Sequence, residues 1–158
     1  MEFWETVFAS AVGFSIANTI GPFINARLRK SNDLIQQRNA DEIELKELCF
    51  EVRTLGTTYW STQKNVEESK LLEAAINGRL THLGQLVESL FENNSQYIDA
   101  ANTELNRFHD ALTGGEYGVT TRNEDFARCN RIEISCYSLR NKISRCKRKL
   151  SSPWFVNH

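Results

Sequence analysis

Apolar residues recur at spacings of three and four along most of the chain, and no stretch alternates apolar and polar long enough for a strand. Leu72, Ile76, Leu80, Leu83, Val87 and Leu90 share one face of a helix predicted from about Val66 to Glu92. Asn93, Asn94 and Ser95 break the pattern, and Ser95 is placed to cap a further helix with Ile98, Ala101, Leu105, Phe108 and Leu112 facing inward. Gly114 and Gly115 stop that helix, and the loop GGEYGVT follows. The most regular segment is the last. After a capping box at Thr121 and Glu124, the positions Cys129, Ile132, Cys136, Leu139, Ile143, Cys146 and Leu150 alternate three and four without a miss. Such an a/d seam suits bundle or coiled-coil packing. Ser151, Ser152 and Pro153 end it, leaving Trp154 and Phe155 to cover the core or touch a membrane surface. Upstream, Ser31 to about Thr62 reads as one helix with Ile35, Ile43, Leu48, Val52, Leu55 and Tyr59 buried.

The first thirty residues follow a different rule. From Phe3 to Ile24 the only ionisable group is Glu5. A helix of this length spans about 33 Å, enough for a hydrocarbon core of about 30 Å. Trp4 stands where an interfacial aromatic belongs, and Arg27, Arg29 and Lys30 follow at once. By the positive-inside rule those cations place the C-terminal side in the cytoplasm. A cleaved signal peptide would carry basic residues where Glu2 and Glu5 stand, and a helix lying on the membrane would need a charged face. Burial inside a soluble protein is the other reading, because Ser10, Ser15, Asn18 and Thr19 dilute the hydrophobicity. Ala9, Gly13, Ala17 and Gly21 recur every four residues, a small-residue ridge along which helices approach closely in lipid. Ser15 and Asn18 lie on another side, where polar groups in hydrocarbon want a partner. The segment therefore predicts self-association through the membrane.

Net charge is −1, but it cancels unevenly. Residues 31–121 carry seven basic and fifteen acidic side chains, whereas residues 122–158 carry nine basic and three acidic. One position before each seam residue runs a second stripe: Arg128, Arg131, Ser135, Ser138, Lys142, Arg145 and Lys149. Cations and hydroxyls in line fit a phosphate-bearing ligand, with Arg128, Arg131, Lys142, Arg145 and Lys149 as the binding groups. Pairing with the acidic residues Asp41, Glu42, Glu44, Glu47 and Glu51, within or between subunits, fits the same stripe, as do lipid headgroups.

The four cysteines form no C-x-x-C pair. Three lie on the seam, and the predicted topology puts all four in the reducing cytosol, so they are expected as free, buried thiols. No hydrolase, nucleotide-binding or zinc motif is present, and His82, His109 and His158 are scattered. Arg140-Asn141 supplies half of the R-N-x4-6-H pattern of HEPN ribonucleases, but no His follows at the required distance. No catalytic residue, metal site or cofactor is expected.

A polar, small-residue membrane span from Phe3 to Ile24 joined to a compact helical domain with a basic stripe resembles the small membrane effectors of prokaryotic antiviral systems. In layout it is similar to cyclic-oligoadenylate-gated effectors of type III CRISPR systems and to the HEPN-like membrane pore accompanying some type VI systems. The resemblance covers the whole chain and is one of architecture. It implies an oligomer whose cytoplasmic part senses infection and whose helices then compromise the inner membrane. The expected fold is all-α: a transmembrane helix with its basic flank at 1–30, then a cytoplasmic bundle of about four helices at 31–158. The expected partners are further copies of the chain, the bilayer, and a cyclic oligonucleotide or a Cas-type protein. The chain is expected to cross the bacterial inner membrane once, with its C-terminus in the cytoplasm. The alternative function is a non-catalytic membrane scaffold that recruits a partner through coiled helices.

Overall fold

The computed structural model describes the backbone of residues 2–62, 65–92, 94–119 and 121–150, with side chains described at residue 29 and from residue 32 onward in those ranges. Four helices make up these residues, and no strand occurs among them: α1 Glu2–Ser61, α2 Val66–Leu90, α3 Ser95–Thr113 and α4 Phe126–Leu150. The chain divides into two compact units, 1–39 and 40–158. In the first, α1 is helical from Glu2. Among the described residues no helix is long and apolar enough to cross a membrane. The predicted span Phe3 to Ile24, with Ala9, Gly13, Ser15, Ala17, Asn18 and Gly21, falls on side chains outside that description, and Trp154 and Phe155 lie outside it too.

The second unit is a helical bundle with one hydrophobic core, drawn from the end of α1 and from α2, α3 and α4. The predicted faces supply it. Ile76, Leu80, Leu83, Val87 and Leu90 of α2 are buried, with Leu72 packed at the edge. On α4 the seam buries Ile132, Cys136, Leu139, Ile143 and Cys146, while Cys129 and Leu150 close its two ends. All four cysteines are free, and burial pushes the thiols of Cys49, Cys129 and Cys136 above their usual pKa, so they remain protonated hydrophobes.

The reading of α1 needs correction. Leu48, Val52 and Tyr59 are buried, but Ile35 and Ile43 are exposed, and the core instead takes Leu45, Cys49 and Trp60. Both sets have helical spacing, and only the position of α4 decides which turns inward. The Cys136 thiol reaches the Cys49 carbonyl, Arg53 pairs with Glu133, and Ser144 meets Glu42, so α1 and α4 run antiparallel. Gly56 makes room for the Leu112 side chain of α3: an added Cβ there would overlap it, while Ile132 of α4 would lie at 3.4 Å.

Two predicted caps also shift. Asn94, not Ser95, caps α3 by accepting from the Tyr97 amide at 3.2 Å. The Thr121–Glu124 box lies outside the helix, and Asp125 caps α4 instead, accepting from the Arg128 amide at 2.8 Å. Its position follows from a tertiary bond, because the Asp125 N–H donates to the Trp60 carbonyl at 2.9 Å.

Candidate anion-binding cleft

The seven positions set one residue before the seam turn toward α3, which lies antiparallel to α4. Arg128 donates to the carbonyls of Asp110 and Ala111 at the end of α3. At the other end of α4, Lys142 and Arg145 share a cleft with Gln96 and Tyr97 from the first turn of α3. The predicted stripe is therefore one face, but the structure splits it into two surroundings.

At the N-terminal half the charge is satisfied internally. Arg128 has only 12% of its side chain exposed and lies over the Trp60 ring, 4.4 Å from the centroid. Its Nε donates to Asp125 at 3.3 Å, and its Nη1 meets the carbonyl end of α3. The Asp110 carbonyl also accepts from the Gly114 amide at 3.0 Å, and the Arg128 guanidinium adds a cationic donor to this carbonyl end, so Arg128 helps to cap α3. Arg131 lies 3.6 Å from the same Asp125, and on the α3 wall of the adjoining cleft of about 580 Å³ Arg107 pairs with Glu104 one turn away. The backbone and side-chain bonds from Arg128 hold the Asp125 carboxyl below its usual pKa. Arg128 is thus held by contacts within the bundle, to Asp125, the Trp60 ring and the end of α3.

The C-terminal half differs. A cleft of about 480 Å³ is lined on α4 by Lys142, Arg145, Arg148 and Lys149, with Cys146 at its floor. No carboxylate lines it. Lys142, Arg145 and Lys149 make no ion pair among the described residues, and Arg148 donates its Nε to the Ser144 carbonyl at 3.3 Å. The facing wall is Gln96, Tyr97 and Ala100. The first turn of α3 carries the positive end of the helix dipole, with an aromatic ring and an amide beside it. Four like charges around one hollow repel one another, and a multiply charged anion would relieve that repulsion.

The acidic residues of α1 do not meet this cleft within one copy. Glu42 takes Lys147 and Lys46, Glu44 lies 3.5 Å from His82, and Glu51 takes Arg79 at 3.0 Å. Burial raises the pKa of Glu42, but the hydrogen bonds and charges of Lys147 and Lys46 outweigh it and hold the carboxyl below its usual value. The stripe read from the sequence includes neither Arg148 nor, on α3, Gln96 and Tyr97. Nothing in the local pattern marks them, because they join the cleft only through the α3–α4 pairing. Among the described residues no group of three or more His, Cys, Asp or Glu is placed to hold a metal. Comparison with protein families, curated proteins and solved structures finds no match to this chain.

Proposed function

We propose that this chain is a non-catalytic, membrane-anchored oligomeric effector, switched by a compact phosphate-bearing ligand held between the start of α3 and the end of α4. One observation carries the reading: Lys142, Arg145, Arg148 and Lys149 converge on a carboxylate-free cleft beside Tyr97 and Gln96. Phosphates suit the cations, and a base suits the ring and amide. A cleft this short favours a compact ligand over an extended polyanion, because the remainder of the stripe is already paired with Asp125. The apolar run Phe3 to Ile24 and the cations after it support anchoring in the inner membrane with a cytoplasmic C-terminus. The architectural resemblance to cyclic-oligoadenylate-gated effectors makes a cyclic oligoadenylate the first ligand to try and antiviral membrane disruption the outcome to measure.

The full chain, purified in detergent, is melted with cyclic oligoadenylates of several ring sizes, a linear oligoadenylate and inorganic phosphate. Binding is expected to stabilise it by about 2.7 kcal/mol at a ligand concentration one hundred times the dissociation constant. Arg145→Glu with Lys149→Glu removes that gain. In cells, producing the chain together with the ligand admits a membrane-impermeant dye. Absence of stabilisation by every phosphate compound, together with absence of dye entry, sinks the reading.

A further inference from the structure

The α3–α4 cleft leaves the opposite flank of α4 unexplained. There, α1 and α4 together present an outer face that carries large exposed side chains. Ile43 and Phe50, one heptad apart on α1, are 59% and 52% exposed, and Tyr137 on α4 is 66% exposed. Arg53 lies over the Phe50 ring, 4.0 Å from its centroid. Beneath the same face the Nε atoms of Arg53 and Arg140 are buried with no acceptor, and only Arg53 has an ion-pair partner, Glu133, for the rest of its guanidinium. Arg140 makes no hydrogen bond or ion pair among the described residues, although it borders a small hollow with Lys46, Tyr137, Asn141 and Ser144. Glu47 is exposed between Ile43 and Phe50 and is likewise without a described partner. A half-buried guanidinium without an acceptor is costly, and an apolar patch of this kind marks an interface.

We infer that this face is a self-association surface whose occupant is the same face of a second copy, related by a two-fold axis, with Glu47 of each copy meeting Arg140 of the other. The register of the two helices supports the pairing. The contacts Arg53–Glu133, Cys49–Cys136 and Glu42–Ser144 place Arg140 opposite residue 46. Glu47 therefore stands within about one helical residue, 1.5 Å, of the same height. A two-fold axis passing near that level brings each Glu47 to the partner's Arg140 and buries Ile43, Phe50 and Tyr137 between the copies. Two-fold interfaces require such self-complementarity, since donor and acceptor must lie on one patch. The inference depends neither on the membrane span nor on the ligand.

The test uses the full chain carrying Arg140→Lys, prepared as an equal mixture of isotopically light and heavy protein. A carbodiimide activates the Glu47 carboxyl as an O-acylisourea, and the amine introduced at position 140 displaces the urea to form an amide. The expected product is a cross-linked peptide joining Glu47 to position 140 with mixed isotopic mass, which only a link between copies produces. In parallel, Glu47→Arg and Arg140→Glu are each expected to weaken dimerisation by about tenfold, and the double exchange to restore it. Links of a single isotopic mass, or oligomers whose mass ignores all three variants, overturn the assignment. So does phosphate-dependent stabilisation lost in Arg140→Glu without any mixed link, which would assign the hollow to a small anion.

Discussion

The guanidinium of Arg122 lies over the ring of Tyr59, 3.6 Å from its centroid, and also donates to the Tyr59 carbonyl at 2.7 Å. Arg122 is only 3% exposed and reaches Ser69 on α2 at 3.2 Å. The Tyr59 hydroxyl donates to Glu73 at 2.8 Å and accepts from the Gly118 amide at 3.0 Å. Gly118 has a φ of 81°, which only glycine adopts without strain. This pair therefore ties the end of α1, the first half of α2 and the loop before α4 into one knot.

Arg122→Ala is expected to destabilise the protein by about 2–4 kcal/mol, because it empties a buried volume and strands the Tyr59 carbonyl. Arg122→Lys recovers only part of this, since an ammonium cannot both cover the ring and reach two acceptors. Urea unfolding of the two variants measures the difference; equal stability of both with the parent refutes the knot.

Arg128 and Arg145 lie on one stripe but should behave oppositely. Arg128→Ala uncaps α3 and uncovers Trp60, and is expected to cost about 1–2 kcal/mol. Arg145→Glu and Lys149→Glu break no described ion pair and should change stability by within about 0.5 kcal/mol. Thermal melts without ligand separate structural from binding cations.

Gly56→Ala isolates packing from helix preference. The substitution improves helix propensity by about 1 kcal/mol, yet its Cβ overlaps the Leu112 side chain. Overpacking should prevail and lower stability by about 1–3 kcal/mol. A chemical denaturation curve of the variant decides the sign.

Acid should weaken the fold through Glu42 and Asp125. Both carboxyls sit below their usual pKa in the folded protein, so each binds its proton more readily when unfolded. Their contribution is full above the ordinary carboxylate range and is lost as pH falls through the lowered folded values. Stability measured from neutral pH downward should therefore decline below about pH 4.5. Glu42→Gln with Asp125→Asn should flatten part of that decline, which an unchanged slope would contradict.

The proposed topology makes its own demand. A C-terminal alkaline phosphatase fusion should stay inactive, because in the proposed topology Arg27, Arg29 and Lys30 follow the span on its cytoplasmic side. Gly13→Leu with Ala17→Leu should shift the detergent-solubilised assembly to smaller species. Active phosphatase reverses the orientation, and an unchanged mass removes the ridge from assembly.

Local pattern alone determined the all-α class, the extents of α2, α3 and α4 to within a few residues, and the seam that buries Cys136 and Cys146. Those features rest on spacing, and a three-and-four repeat permits only one buried face when the remaining positions are charged. The basic stripe was legible for the same reason. Tertiary structure decided the rest. Ile43 and Cys49 both sit at helical spacing on α1, and the antiparallel contact with α4 exposed the first and buried the second. Asp125 displaced the Thr121–Glu124 box because the Trp60 carbonyl fixed the chain just before α4. Within the stripe, Arg128 became a cap and Lys142, Arg145 and Lys149 remained open, because α3 presents its carbonyl end to the first and its amide end to the others. A sequence specifies which side chains share a face, but the charge opposite that face belongs to another helix, and only folding brings the two together.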